Sequence, residues 1–183
     1  MSRAFVDESD SNIKEDDIPE LVIPLPPGVK NYMTPKGAET VKRELQELER
    51  TVRPQLASQV SKNVTDGDSV NSDMVVSVRR KMRVIDRRIE YLTKMIERME
   101  IIDPKAQRSY RVRFGAKVTV LENNIDKRVY RIIGVDESDP KKGYISWISP
   151  LAKALLSLGT GDAVKIHLPK GETSLKVVKI EYK

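Results

Sequence analysis

Three carboxylates, Asp66, Asp68 and Asp73, crowd into one short polar stretch with Gly67, Ser69 and Asn71. Carboxylates at this spacing offer anionic oxygen, the donor that hard divalent cations take. The plainer role for Asp68, shared with Ser69, is a helix cap. The residues on either side of the stretch decide how such groups would be presented.

On the C-terminal side, apolar residues fall at Val75, Val78, Met82, Ile85, Ile89, Leu92, Ile96 and Met99, in alternating steps of 3 and 4. A 3.5-residue repeat keeps one stripe of a helix against one partner helix. A helix starting near Ser69 and ending around Ile102 is expected, and from Ser69 to Met99 it spans about 45 Å at ~1.5 Å per residue. On the N-terminal side the apolar positions are Val41, Leu45, Leu48, Val52, Leu56, Val60 and Val64. Thr34 is placed to cap this first helix and Pro35 to take its first position. Pro54 lies inside the pattern and is expected to bend the helix or break its hydrogen bonding. Folding one seam back on the other gives an antiparallel hairpin with its turn within residues 63–69, carrying the carboxylates at the end of a rod. Such a rod is a device for delivering carboxylates into something deep.

Composition bounds the rest. The 183 residues suit one or two domains, and 33% charged residues against 39% hydrophobic fit an elongated shape with a small core. With no cysteine and one histidine, His167, a disulfide framework, a thiolate site and a histidine metal cluster are all excluded. The first residues lack the apolar core of a signal peptide, and no apolar run approaches the length of a membrane helix. A cytoplasmic protein with no membrane partner is expected. The net charge of +6 is unevenly placed: residues 1–20 hold seven acids against two bases, a balance of −5, leaving +11 for the remainder. A basic body implies an acidic partner, or simply a solvated surface.

In chain order, residues 1–30 are expected to be an acidic, disordered tail followed by a proline-rich linker, Leu21 to Gly28. Residues 31–104 hold the hairpin. Its second helix is basic near the tip: Arg79, Arg80, Lys81, Arg83, Arg87 and Arg88 have only Asp86 as an acid among them. None of these bases falls on the apolar seam, and a phosphate-backbone contact surface is the favoured reading over a solvated face. From 105 to 183 the period changes to two. Strands are expected at Arg111–Phe114, Lys117–Leu121, Arg128–Val135, Tyr144–Ile148, Ala163–Leu168 and Leu175–Tyr182. A short helix from Pro150 to Leu158 is capped by Ser149. The whole reads as α+β, with a small antiparallel sheet and one short helix after the hairpin. His167 is expected at a surface or sheet edge. Trp147 is either an interface anchor or a core residue.

The segment Ile85-Asp86-Arg87-Arg88-Ile89-Glu90-Tyr91-Leu92-Thr93-Lys94 is similar to the second helix of the bacterial Gre transcript-cleavage factors, their B-type members above all. Phe114-Gly115-Ala116-Lys117-Val118, Tyr144-Ile145-Ser146, Ser149-Pro150, Ala152, Ala154-Leu155, Gly161-Asp162, Pro169, Gly171 and Ile180-Glu181-Tyr182 resemble the rest of that family. The likeness covers about residues 31–183. It implies a coiled-coil hairpin, an FKBP-like C-terminal domain that docks on RNA polymerase, and entry of the coiled coil into the polymerase secondary channel. It does not imply prolyl isomerase activity.

The resemblance also implies roles at the tip. The family pattern Gly-Asp-x-x-Glu-Asn-Ala-Asp/Glu-Tyr aligns with Gly67-Asp68-Ser69-Val70-Asn71-Ser72-Asp73-Met74-Val75. Gly67 and Asp68 match, Asn71 stands where the family has glutamate, Ser72 replaces asparagine and Val75 replaces tyrosine. In the family the two carboxylates help hold the polymerase's second magnesium and its attacking water. Asn71 offers a neutral oxygen and cannot act as a base. Asp73 or Asp66 could stand in for it along a different backbone path. Ser149, Pro150 and the neighbouring Trp147 match the docking loop, with Ile148 in place of the family's aspartate.

The expected function is that of a polymerase-binding elongation factor, acting as a single copy on the 3′ end of nascent RNA in backtracked complexes. It would be no enzyme by itself and hold no cofactor of its own, the magnesium being the polymerase's. Two outcomes compete: cleavage stimulation through Asp68 with Asp73 or Asp66, or channel occupancy with weak cleavage, which Asn71 favours. A third reading is a basic coiled-coil module that binds nucleic acid without polymerase.

Overall fold

The computed structural model describes residues 22–65, 73–123, 125–168 and 171–183. They fall into two compact units, one built from Arg43–Thr93 and one from Pro24–Lys42 with Lys94–Lys183.

The helical part comprises α1 (Pro35–Glu47), α2 (Arg53–Thr65) and α3 (Asp73–Glu97). In the first unit Arg88 meets Glu44 through two bonds of 2.7 and 3.0 Å, and Arg53 meets Asp86 at 2.6 Å. As numbering rises on one side it falls on the other, so the helices run antiparallel as a hairpin. These exposed pairs set register more than stability, since each is worth about 0–1 kcal/mol. The apolar seam supplies the burial: Val75, Val78 and Leu92 are buried, and Met82, Ile85 and Ile89 are half-buried.

Between α1 and α2 runs a π-helical turn, Leu48–Val52, in which the Arg53 N–H donates to the Leu48 carbonyl. The cause is Pro54, which has no N–H and whose ring crowds the carbonyl four residues back. Widening the ladder by one residue ahead of the proline lets the helix resume, a usual place for a π-bulge. The expected interruption therefore takes the form of one wide turn. Past it none of residues 53–62, the part of α2 whose burial is described, is fully buried, in keeping with a seam that drifts around the helix in steps of 4.

α3 ends at Glu97, short of the expected Ile102, because the next residues pair as strand. β1 (Asn31–Met33) and β2 (Met99–Ile101) form a two-stranded parallel ladder. Asn31 is fully buried, its N–H donates to the Arg98 carbonyl at 2.7 Å, and its Nδ2 donates to the Met95 carbonyl at 3.0 Å. The Met95 carbonyl is among the last of α3, which have no partner inside the helix, and Arg98 follows the helix directly.

The sheet runs through β3 (Lys117–Glu122), β4 (Asp126–Ile133), β5 (Tyr144–Ser146), β6 (Ala163–Leu168) and β7 (Gly171–Glu181), in the order β5-β4-β3-β7-β6. All neighbours are antiparallel except β4 and β5, which pair in parallel. The chain from 134 to 143 crosses back before β5 begins, so the expectation of a purely antiparallel sheet is corrected at this edge. Arg111–Phe114 is not a strand either: only Arg111 bridges to Gly159, and Phe114-Gly115 turns. Gly115 has φ +83°, and a Cβ there would lie 2.8 Å from Pro104 Cγ, so glycine is required. Against the sheet packs α4 (Pro150–Leu155), shorter than expected, and its Leu155 joins Val112, Val118, Val120, Ile132, Leu175 and Val177 in the core.

At the end of β7, Glu181 lies 3.0 Å from the Lys179 ammonium and 2.8 Å from that of Lys183. Hydrogen bonds from both hold its carboxyl down to about 2. A lowered folded-state value contributes stability above the unfolded carboxylate's pKa, and the contribution fades as pH falls toward 2. Glu181→Gln should therefore flatten the loss of stability between about pH 4.5 and 2 while leaving the slope above pH 6 unchanged. Chemical denaturation at a series of pH values reads this directly, and an unchanged acid slope rules it out.

Candidate functional site

Asp73 is the first residue of α3, exposed and in no ion pair among the described residues. An acid in the first turn is favoured by the helix dipole. The other tip residues, Asp66, Asp68 and Asn71, lie outside the described residues, as does the expected helix start at Ser69. Among the described residues no cluster of three or more acidic, histidine or cysteine side chains is placed to hold a metal. What Asp73 offers is one carboxylate open to an ion held elsewhere.

Arg79, Arg80, Arg83 and Arg87 all lie exposed on α3. At 3.6 residues per turn they fall within about 100° of one another, nearly opposite the apolar seam. Arg87 reaches Glu90 at 3.2 Å, while Arg79 and Arg83 make no ion pair among the described residues. Asp86, the acid within this span, is engaged by Arg53. The neighbouring Arg88 is turned to the hairpin, bonding Glu44 with its guanidinium 5.1 Å from the Tyr91 ring centroid. The spacing thus separates one structural arginine from a face of cations that can meet phosphates.

In the second unit, Ser149 caps α4, its Oγ accepting from the Ala152 N–H at 3.2 Å, and Pro150 is exposed at the first helical position. Trp147 is half-buried and packs on the core. Its ring stands edge-on to Tyr32 at 5.1 Å, and its indole N–H is buried with no partner among the described residues. The ring serves internal packing, which leaves Ser149 and Pro150 as the accessible part of the predicted docking segment. His167 is exposed on the edge strand β6, as expected.

Sequence reasoning missed Glu137. Its carboxylate accepts from the Thr34 N–H at 3.0 Å, from the Gly134 N–H at 3.1 Å and from the Thr34 hydroxyl. The Thr34 Oγ1 in turn accepts from the Gly37 N–H at 3.1 Å, so the expected helix cap is present. A cavity of about 570 Å³ beside this bracket is lined by Lys36, Lys105, Arg131, Asp136 and Glu137, a mixture of signs that selects no ligand. A carboxylate 103 residues from Thr34 leaves no local signal of that contact in the sequence.

Two family descriptions match the chain: "Transcription elongation factor, N-terminal" over residues 31–101 and "Transcription elongation factor, GreA/GreB, C-term" over residues 107–182. Transcription elongation factor GreB of Neisseria meningitidis serogroup B is 38% identical over 155 residues, covering 84% of this chain and 94% of that protein. GreB of Yersinia pestis is 35% identical, covering 84% and 90%, and GreA of Nautilia profundicola is 36% identical, covering 84% and 95%. Among solved structures, GreA factor homolog 1 of Thermus thermophilus aligns over 83% of this chain and 99% of its own, with 20% identity and a TM-score of 0.40. With both halves matched in order and relatives similar over nearly their full length, the chain belongs to the GreA/GreB family of transcription elongation factors.

Proposed function

We propose that the protein binds RNA polymerase, inserts its helical hairpin as a coiled coil into the secondary channel, and modulates elongation and the rescue of backtracked complexes with weakened cleavage of its own. The observation that carries this reading is the family match over both halves, taken with Asn71 at the position where the family's second carboxylate stands. Residues 31–104 act as the hairpin and 105–183 as an FKBP-like docking domain. The protein acts as a single copy in the cytoplasm, as an accessory to the polymerase active site. Asp68 presents its carboxylate there, with Asp73 or Asp66 as the available second acid. Magnesium bound by the polymerase supplies the Lewis acid; this chain adds anionic oxygen at the end of a helix and holds no ion alone. The exposed Arg79, Arg80, Arg83 and Arg87 meet the 3′ RNA that backtracking extrudes.

Ser149 and Pro150 carry the docking part of this proposal. Ser149→Asp with Pro150→Glu keeps a competent cap and first-turn residue while adding two negative charges. Binding to core polymerase should weaken at least tenfold, about 1.4 kcal/mol, with unchanged circular dichroism. Equal affinity for core polymerase places docking elsewhere. Capture of RNA by the intact protein in the absence of any polymerase binding favours instead a free nucleic-acid module.

A further inference from the structure

We propose that the acidic N-terminal segment, residues 7–20, docks on the arginine face of α3 in the same chain and withholds that face from other polyanions. The inference concerns a contact within the free protein, so it does not rest on polymerase binding.

Charge complementarity is the first argument. Residues 1–20 carry seven acids and two bases. The receiving face holds Arg79 and Arg83, which have no ion pair among the described residues, and the acids nearest in α3 are committed: Asp86 to Arg53 and Glu90 to Arg87. Arg79 and Arg83 therefore stand open to an anion from elsewhere in the chain.

Reach is the second argument. Leu25 is buried, and Asn31 is bonded to the Met95 carbonyl of α3 at 3.0 Å. From Leu25 to Asn31 the chain spans at most about 20 Å, and from Met95 back to Arg79 along the helix is about 24 Å. The longest path needed is thus about 44 Å, and the fifteen residues from Leu25 back to Asp10 extend to roughly 50 Å. Glu15, ten residues before Leu25, extends to roughly 34 Å and reaches Arg87, about 32 Å away along the same path. The acids from Asp7 to Glu15 can thus lie along the arginines without any change in the folded part.

Mass action is the third. A segment tethered this closely meets its face at an effective concentration in the millimolar range, so pairing too weak to detect between separate molecules is populated here. Salt screens it, because both partners are exposed. A stronger or longer polyanion displaces it, and the segment acts as a built-in competitor that sets a threshold for nucleic-acid binding.

Two measurements on the full chain decide the matter. The protein has no cysteine, so Ser11→Cys carries a single nitroxide label. At about 50 mM salt the amides of residues 79–87 should broaden, and the broadening should disappear at about 500 mM. Absence of broadening there at low salt overturns the proposal whether or not RNA binds. In the second, a fluorescent single-stranded RNA twelve-mer is titrated into the native protein and a variant with Asp7, Asp10, Asp16 and Asp17 changed to Asn and Glu8, Glu15 and Glu20 to Gln. The neutralised variant should bind roughly tenfold more tightly at low salt, a gap that closes at high salt. In an Arg79→Gln, Arg83→Gln background the gap should shrink below about twofold. A gap of full size in that background shows general charge repulsion instead of docking on this face.

Discussion

Replacing Glu137 with alanine is expected to destabilise the second unit by about 3 kcal/mol, the cost of stripping partners from buried donors. The carboxylate satisfies the Thr34 and Gly134 N–H groups at 3.0 and 3.1 Å together with the Thr34 hydroxyl. Gly134 is buried and Thr34 half-buried, so water replaces these bonds poorly. Thr34 also caps α1, and losing its anchor loosens the cap. For a chain of this size the midpoint of thermal unfolding should fall by roughly 6–12 °C. Glu137→Gln keeps the volume and one acceptor oxygen and should lose less than half as much. Gly37 lies directly under the same side chain: a Cβ there would sit 2.1 Å from Glu137 Cδ. Gly37→Ala should accordingly destabilise on its own and add little to Glu137→Ala, since both act through one side chain. A loss below 1 kcal/mol for Glu137→Ala means that the bracket does not hold α1 in place.

Local signals were legible in the sequence and distant ones were not. The seam of α3 repeats over six intervals, and each step is fixed by the helix period alone, so Val75, Val78 and Leu92 could be assigned to the buried side before any fold was known. Thr34-Pro35 and Ser149-Pro150 announce helix starts through the chemistry of two adjacent residues. The arginine face follows from spacing in the same way. By contrast, β1 and β2 have three residues each and pair across 68 positions, too short to show a period and too far apart to show a turn. Met95 lies off the heptad seam yet is fully buried; it belongs with the second unit, where its carbonyl accepts from Asn31. The parallel β4–β5 edge depends on where residues 134–143 travel, and a period of two is blind to strand direction. Glu137 is the functional-looking carboxylate that packing created, just past the expected end of a strand at Val135.

The native protein is expected to stimulate cleavage of backtracked RNA slowly, and Asn71→Glu to raise the rate by about two decades, the value of one well-placed charged group in a transition state. The argument is chemical. A hard cation binds a carboxylate far better than a neutral amide oxygen, and an amide cannot take a proton from an attacking water. Asp68 alone leaves the shell one anionic ligand short, so Asp68→Ala should abolish the activity that remains. Neither substitution touches the seam positions that hold the hairpin, so circular dichroism and polymerase affinity should stay constant across the set. The measurement is the rate of RNA shortening in a halted, backtracked elongation complex, with factor in excess. If the native protein already works as fast as a factor with both carboxylates, the inference from Asn71 fails. Asp73 is then the group to change, because it stands exposed and unpaired at the first turn of α3 among the described residues. Loss of that fast cleavage in Asp73→Asn would place the second carboxylate there. Retention would leave Asp66 as the remaining acid of the stretch, and the corresponding Asp66→Asn variant would show the loss.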